Sequence, residues 1–175
     1  MGGSQGSHRI NTEFLQTIRV LKEQLDFQVI HISGPKDYSE LQSQYTGCGV
    51  RFCLFEFLEE IAAAYQAADL VIARSGSGTV LEIAKFRLPA VLIPYPHAGG
   101  HQKQNAKILG QANVATIIEE KDLTVKTLKN TIIDLCTHRP TREEFRHRVK
   151  DLVIADAADR LADEIVMLAK ADKAG

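Results

Sequence analysis

Short, uninterrupted apolar runs alternate with helical stretches along nearly the whole chain, and this alternation narrows the possible folds most. The strand-like runs are Phe27 to Ser33, Val50 to Phe55, Leu70 to Ala73, Ala90 to Pro94 and Val114 to Ile118. None of them alternates apolar with polar residues, as a strand with one wet face would. A continuous β-branched run is buried on both faces, which is the signature of a parallel sheet covered by helices on both sides. Between the runs, helical periodicity or composition predicts helices over 10–25, 38–46, 59–67, 79–86, 102–112, 124–136, 141–152 and 156–170. In the first of these, Ile10, Phe14, Ile18, Leu21 and Leu25 make an amphipathic stripe.

Composition fits that architecture. The chain has 175 residues, 45% hydrophobic and 25% charged, with a formal net charge of −1. That is one domain with a core of its own, and no overall field draws it to nucleic acid or to an anionic membrane. No apolar run reaches the ~18–20 residues that cross a bilayer, and Met1-Gly2-Gly3-Ser4 does not read as a signal peptide. Cys48, Cys53 and Cys136 are odd in number and match no zinc spacing. They predict a reducing, cytosolic setting, not a disulfide framework. The locally basic stretch His138 to Lys150, diluted by Glu143 and Glu144, reads as a solvated helix face.

Ligands of a doubly wound sheet bind beyond the carboxyl ends of its strands, where loops enter helices. Three such loops carry suitable residues. Gly2-Gly3-Ser4-Gln5-Gly6-Ser7 leads into the first helix. Its glycines let backbone N–H groups approach an anion at a helix N-terminus; it reads equally as a tight turn capped by Ser7. It is not the G-x-G-x-x-G pattern, and no acidic residue follows the first strand to hold a nicotinamide-cofactor ribose. Arg74-Ser75-Gly76-Ser77-Gly78-Thr79-Val80-Leu81-Glu82 repeats the arrangement after the third strand. A carboxylate one turn into the helix, Glu82, suits two vicinal ribose hydroxyls. The competing reading is plain capping by Ser77 or Thr79, with Glu82 favouring the helix dipole. The third loop, Pro94 to Asn105, gathers His97, His101, Gln102, Gln104 and Asn105, whose amides can donate to and accept from sugar hydroxyls. His97 and His101 have no third ligand nearby, so no metal site is expected.

In a doubly wound domain the first glycine loop follows a strand in the middle of the sheet. Here the chain opens on the loop itself, so a first central strand is expected to be absent and two neighbouring strands to show unpaired edges.

Taken in order, Gly-Gly-Ser-Gln-Gly, Arg-Ser-Gly-x-x-Thr-Val-x-Glu-Ile-Ala and Pro-x-Pro-His-x-x-x-x-Gln-x-x-Asn-Ala resemble the C-terminal half of the MurG-type peptidoglycan N-acetylglucosaminyltransferases of glycosyltransferase family 28. Phe57 to Tyr65 is similar to the family's segment before the donor loop. The resemblance covers nearly the whole chain and implies the Rossmann-like C-terminal half of a GT-B glycosyltransferase, with residues 1–175 forming a single donor-binding domain of a two-domain enzyme. It further implies UDP-N-acetylglucosamine (UDP-GlcNAc) as the ligand. The acceptor, a lipid-linked muramyl-pentapeptide, belongs to an N-terminal half that is not in this sequence and that meets the cytoplasmic face of the plasma membrane. No cofactor, metal or nucleic acid is implied.

Carried over by position, Ser4 would touch the diphosphate and Leu58 would offer backbone groups to the uracil. Ser77, Gly78 and Thr79 would cradle phosphate, Glu82 would hold the ribose, and Gln102 with Asn105 would read the N-acetylglucosamine hydroxyls. No catalytic residue is expected in this chain, because the general base would sit in the other half. Ser7 stands where the family usually has alanine, and Gly78 where a larger residue can occur. Two other readings stay open: a nucleotide-sugar-binding subunit of a split glycosyltransferase, and a UDP-sugar epimerase of similar fold.

Overall fold

The computed structural model describes residues 1–2, 5–137, 142–150 and 157–171. The elements follow the expected alternation. They are α1 (His8–Leu21), β1 (Gln28–Ile32), α2 (Tyr38–Tyr45), β2 (Arg51–Phe55), α3 (Ile61–Ala67), β3 (Val71–Ala73), α4 (Ser77–Phe86) and β4 (Ala90–Leu92). After these come α5 (His101–Gln111), β5 (Ala115–Ile117), a 3-10 turn (Glu120–Asp122), α6 (Val125–Thr137), α7 (Arg142–Val149) and α8 (Ala157–Ala171). Every strand pair is parallel.

β4 shows why its run is apolar at every position. Ala90 and Leu92 pack into a core layer with Tyr65 of α3, Val80, Ile83 and Ala84 of α4, and Ala106 and Leu109 of α5. Val91 and Ile93 turn the other way, against Ile10 and Leu21 of α1 and Leu128 and Ile132 of α6. All four are 0% exposed. Successive strand side chains point to opposite faces, so a strand covered by helices on both faces needs an apolar residue at each step. A third cluster joins Leu15 and Ile18 of α1 to Val29 of β1 and to Leu41 and Tyr45 of α2.

The sheet is in two pieces. β1 pairs with β2, and β3-β4-β5 form a separate three-stranded sheet. Met1 lies beside β3, its amine donating to the Ile72 carbonyl at 2.6 Å.

The basic stretch is only partly solvated. Phe145 and Val149 are buried in the first core layer, while Arg148 donates to the Asn113 carbonyl at 2.9 Å; residues 138–141 lie outside the described residues. Among the described residues the cysteines form no disulfide, and no helix is long and apolar enough to cross a membrane.

Candidate functional site

The first loop packs against Ser33 and Gly34 at the end of β1 and, through Ser7, meets Arg74 at the end of β3, so the first, second and third loops open at one rim. What joins them is Arg74, the residue that leaves β3. Its guanidinium is buried, and an arginine stays charged wherever it is placed. The charge is answered from three sides. Nη1 donates to the carbonyls of Ile93 and Pro94, each at 3.2 Å, at the root of the third loop. Nη2 donates to Ser7 Oγ at 2.8 Å, at the exit of the first loop. The Glu120 carboxylate from the 3-10 turn forms an ion pair with it. That carboxylate acts through charge, because its buried Oε2 makes no directional hydrogen bond. The guanidinium also lies over the Tyr95 ring, 5.2 Å from its centroid, a cation–π arrangement.

Ser75 continues the stitching. Its hydroxyl donates to the Gln102 carbonyl at 2.8 Å, and its own carbonyl accepts from the Asn105 amide at 3.2 Å. Gln102 Oε1 accepts from the Tyr95 backbone N–H at 3.0 Å. Gln102 therefore has its acceptor end engaged within the third loop, leaving the Nε2 donor for a ligand. Asn105 spends one amide hydrogen on the second loop.

The N-terminus of α4 is built without a cap. Its N-cap is Gly76, with no side-chain bond to the first turn, and the first helical bond is Val80 N–H to the Gly76 carbonyl at 3.0 Å. Capping by Ser77 or Thr79 is thus not what these residues do. Among the described residues nothing accepts from the amides of Ser77, Gly78 and Thr79. Three unsatisfied N–H groups at the positive end of a helix make an anion-binding turn. Neither Gly76 nor Gly78 has a positive φ, and a Cβ at Gly78 would meet nothing within 4 Å. Glycine at 78 is required by neither conformation nor local packing, and it leaves the space above the amides clear.

Glu82 stands one turn further along α4, half-buried. The buried Tyr65 of α3 donates to its Oε2 at 3.0 Å. Burial first, and then the Glu82 carboxylate, push the Tyr65 hydroxyl well above the usual phenol range, so it remains a donor. The bond fixes the rotation of the carboxylate and leaves Oε1 available.

The first loop is locked from beneath. Gly6 has φ +74 and Gly34, just after β1, has φ +81; a Cβ on Gly34 would come within 2.6 Å of Gln5 O and Gly6 N. The backbones touch, so glycine is required there. Below them Asn11 donates to the Ser33 carbonyl at 2.9 Å and to Asp37 Oδ2 at 2.7 Å. Its Oδ1 can only accept, so the His31 ring donates to it from Nε2 at 3.0 Å, and Nδ1 accepts from the Tyr45 hydroxyl at 2.9 Å. Burial, the largest cause, and the nearby Met1 amine hold the His31 pKa down at about 3 against the pull of Asp37. A neutral histidine with its tautomer fixed thus supports the turn.

Of the expected site residues, Ser77, Gly78, Thr79, Glu82, Gln102 and Asn105 fall on the second and third loops and their helices, which Arg74 and Ser75 tie together. Ser4 lies outside the described residues, although its loop is anchored through Ser7. Leu58 sits in the turn between β2 and α3, and no described hydrogen bond links it to the other loops. The supporting groups Arg74, Tyr65, Asn11 and His31 were not among the candidates. Each had a signal in the sequence: an arginine ending an apolar run, a tyrosine among alanines, and an asparagine and a histidine inside apolar stripes.

Residues 1–161 match the glycosyltransferase family 28 C-terminal domain. The UDP-N-acetylglucosamine--N-acetylmuramyl-(pentapeptide) pyrophosphoryl-undecaprenol N-acetylglucosamine transferase of Syntrophus aciditrophicus (strain SB) is 36% identical over 171 residues, covering 95% of this chain and 47% of that protein. The protein of the same description from Anaeromyxobacter sp. (strain Fw109-5) is 35% identical, covering 93% and 43%. Among solved structures, that of Acinetobacter baumannii MurG superposes with a TM-score of 0.84 at 26% identity, over 95% of this chain and 48% of that one. The chain spans about half the length of the curated relatives it matches.

Proposed function

Because the chain belongs to the glycosyltransferase family 28 C-terminal domain family, we propose that it is the donor-binding half of a UDP-GlcNAc-dependent N-acetylglucosaminyltransferase that glycosylates a lipid-linked muramyl-pentapeptide at the cytoplasmic face of the membrane. The observation that carries this reading is the uncapped N-terminus of α4, with its three unsatisfied amides, beside a carboxylate oriented by Tyr65. In this reading Ser77, Gly78 and Thr79 donate to the diphosphate, and Glu82 accepts from the ribose hydroxyls. Gln102 Nε2 and Asn105 face the sugar, Leu58 offers backbone groups to the uracil, and Ser4 completes the phosphate contact from the first loop. Backbone dipoles aimed at the diphosphate stabilise the charge that develops as UDP leaves. The acceptor hydroxyl attacks the anomeric carbon with inversion as the bond to UDP breaks. The hydroxyl proton goes to a base outside this chain, so the chain alone binds the donor and transfers little.

Isothermal titration with UDP-GlcNAc tests the reading. The expected result is saturable 1:1 binding, competed by UDP and weakened at least tenfold in Glu82→Ala, about 1.4 kcal/mol. Unchanged binding in that variant, or no binding by the folded chain at millimolar donor, overturns it.

A further inference from the structure

The three loops of the candidate site are held from a fourth element that carries none of the expected ligand contacts. The 3-10 turn after β5 receives one cation from each of them. Arg9, in the first turn of α1, donates from Nη2 to the Leu123 carbonyl at 2.8 Å. Arg74, which opens the second loop, pairs with Glu120. Lys103, in the first turn of α5 and so at the exit of the third loop, pairs with Glu119 Oε1 at 2.6 Å. The turn is a fixed anchor. Just before it, Ile118 N–H donates to the Leu92 carbonyl of β4 at 2.9 Å, and within it Asp122 N–H donates to the Glu119 carbonyl at 2.9 Å. Ile118 and Leu123 are both buried in the second core layer.

The third loop depends on such an anchor. The N-cap of α5 is Gly100, which makes no side-chain bond to the helix, so the start of α5 is placed by contacts from outside it. Ser75, after β3, holds it twice, through the Gln102 carbonyl and the Asn105 amide. Glu119, after β5, holds it through Lys103. β3 and β5 lie on opposite sides of β4, so the two holds come from opposite sides. With Ser75 alone the turn pivots about one side. With both, its rotation is set, and with it the direction of the Gln102 amide.

We propose that Glu119 is a positioning residue for the sugar end of the site. It touches no ligand itself; through Lys103 it fixes the first turn of α5, aims Gln102 Nε2 at the pyranose of the donor, and so sets how well the chain tells a nucleotide sugar from the bare nucleotide. The inference rests on the donor-binding reading. The amides of Ser77, Gly78 and Thr79 belong to α4, and Glu82 is oriented by Tyr65 of α3, so neither depends on this pair. Its loss is felt where Gln102 is. The two side chains are 55% and 39% exposed, and an ion pair that open to water supports an effect of up to about fivefold.

The test titrates UDP-GlcNAc and UDP into the full chain, into Glu119→Gln and Lys103→Gln, and into the exchanged pair Glu119→Lys with Lys103→Glu, with thermal melts alongside. Each single variant is expected to bind UDP within about twofold of wild type and UDP-GlcNAc about threefold or more weakly, with a midpoint lowered by less than about 4 °C. The exchanged pair is expected to bring UDP-GlcNAc back to within about twofold of wild type. A ratio of UDP-GlcNAc to UDP affinity that neither single variant moves overturns the proposal, as does an exchanged pair that restores nothing. Opposite shifts, with Lys103→Gln weakening both ligands and Glu119→Gln strengthening both, mean that the charges act directly on the diphosphate, and they overturn it too. A folded wild-type chain that binds neither ligand overturns the donor-binding reading and this proposal together, whereas a wild-type chain that binds both, with an unmoved ratio in the variants, overturns this proposal alone.

Discussion

Replacing Arg74 with methionine removes the group that holds three loops at one rim. The side chain is 9% exposed and its ion-pair partner Glu120 25% exposed. Hydrogen bonds to a charged group contribute about 1.5–3 kcal/mol each. The two carbonyl bonds at 3.2 Å are long and belong at the low end. Ser7 Oγ also accepts from the Ile10 amide at 3.5 Å, so it keeps a weak partner. Breaking a fully buried pair costs about 3–5 kcal/mol, and the partial exposure of Glu120 lets water recover part of that. The loss expected is about 3–4 kcal/mol, or roughly 6–16 °C in unfolding midpoint for a domain of this size. Urea unfolding of Arg74→Met, Glu120→Leu and the double variant measures it. The double variant is expected to be less destabilised than the two single losses added together, by about 1–3 kcal/mol, because removing both charges strands neither. UDP-GlcNAc affinity in Arg74→Met, measured well below its midpoint, is expected to fall at least tenfold. A loss below about 1 kcal/mol, or strictly additive variants, would refute the role given to the pair.

Tyr65→Phe deletes the hydroxyl that orients Glu82; a loss of about 1.5–3 kcal/mol in stability is expected, with weaker UDP-GlcNAc binding by titration. Gly34→Ala forces a Cβ against Gly6 at a positive φ and is expected to cost about 1–3 kcal/mol, while Gly78→Ala, in open space, changes stability by less than about 1 kcal/mol; thermal melts of the pair decide. His31 has a folded pKa of about 3, below its unfolded value, so the folded state refuses a proton that the unfolded chain accepts. Its contribution is complete above about pH 6.5 and is lost as pH falls toward 3, at up to about 1.4 kcal/mol per pH unit. The Met1 amine acts in the same direction from about pH 8 to 5. Unfolding free energies at pH 7, 6 and 5 should therefore fall, and fall less steeply in His31→Gln; parallel pH profiles would show that His31 is not the proton acceptor.

Much of this molecule was legible before any coordinates. Ala90 to Ile93 had to be buried on both faces, because four consecutive apolar residues leave no wet side, and both core layers meet on them. Glycine at 6 and the alternation of elements placed the loops at one rim. Boundaries moved by up to four residues: α1 ends at Leu21 and not Leu25, and α4 starts at Ser77 and not Thr79, because Gly76 takes the N-cap position. What could not be read was which polar residue answers which. Glu120 is 46 positions from Arg74 and belongs to a 3-10 turn with no periodic signal, and Tyr65 meets Glu82 only after α3 and α4 have packed. Those pairings follow from tertiary geometry, to which single-sequence patterns are blind.

The position of the site follows from the way its loops enter helices on opposite faces. Loops that leave for helices on opposite faces of the sheets diverge and open a crevice above the strand ends. The first loop enters α1 on one face, and the second enters α4 on the other. Divergent loops spread unless something spans them. Arg74 is placed to do so: it begins at the end of β3, reaches Ser7 across the crevice and holds Ile93 and Pro94 alongside. A flexible lysine, with one point charge and no fork, could not hold all these acceptors in fixed directions. In the proposed reading, the loops that Arg74 spans are those whose uncapped α4 amides and oriented Glu82 meet the donor.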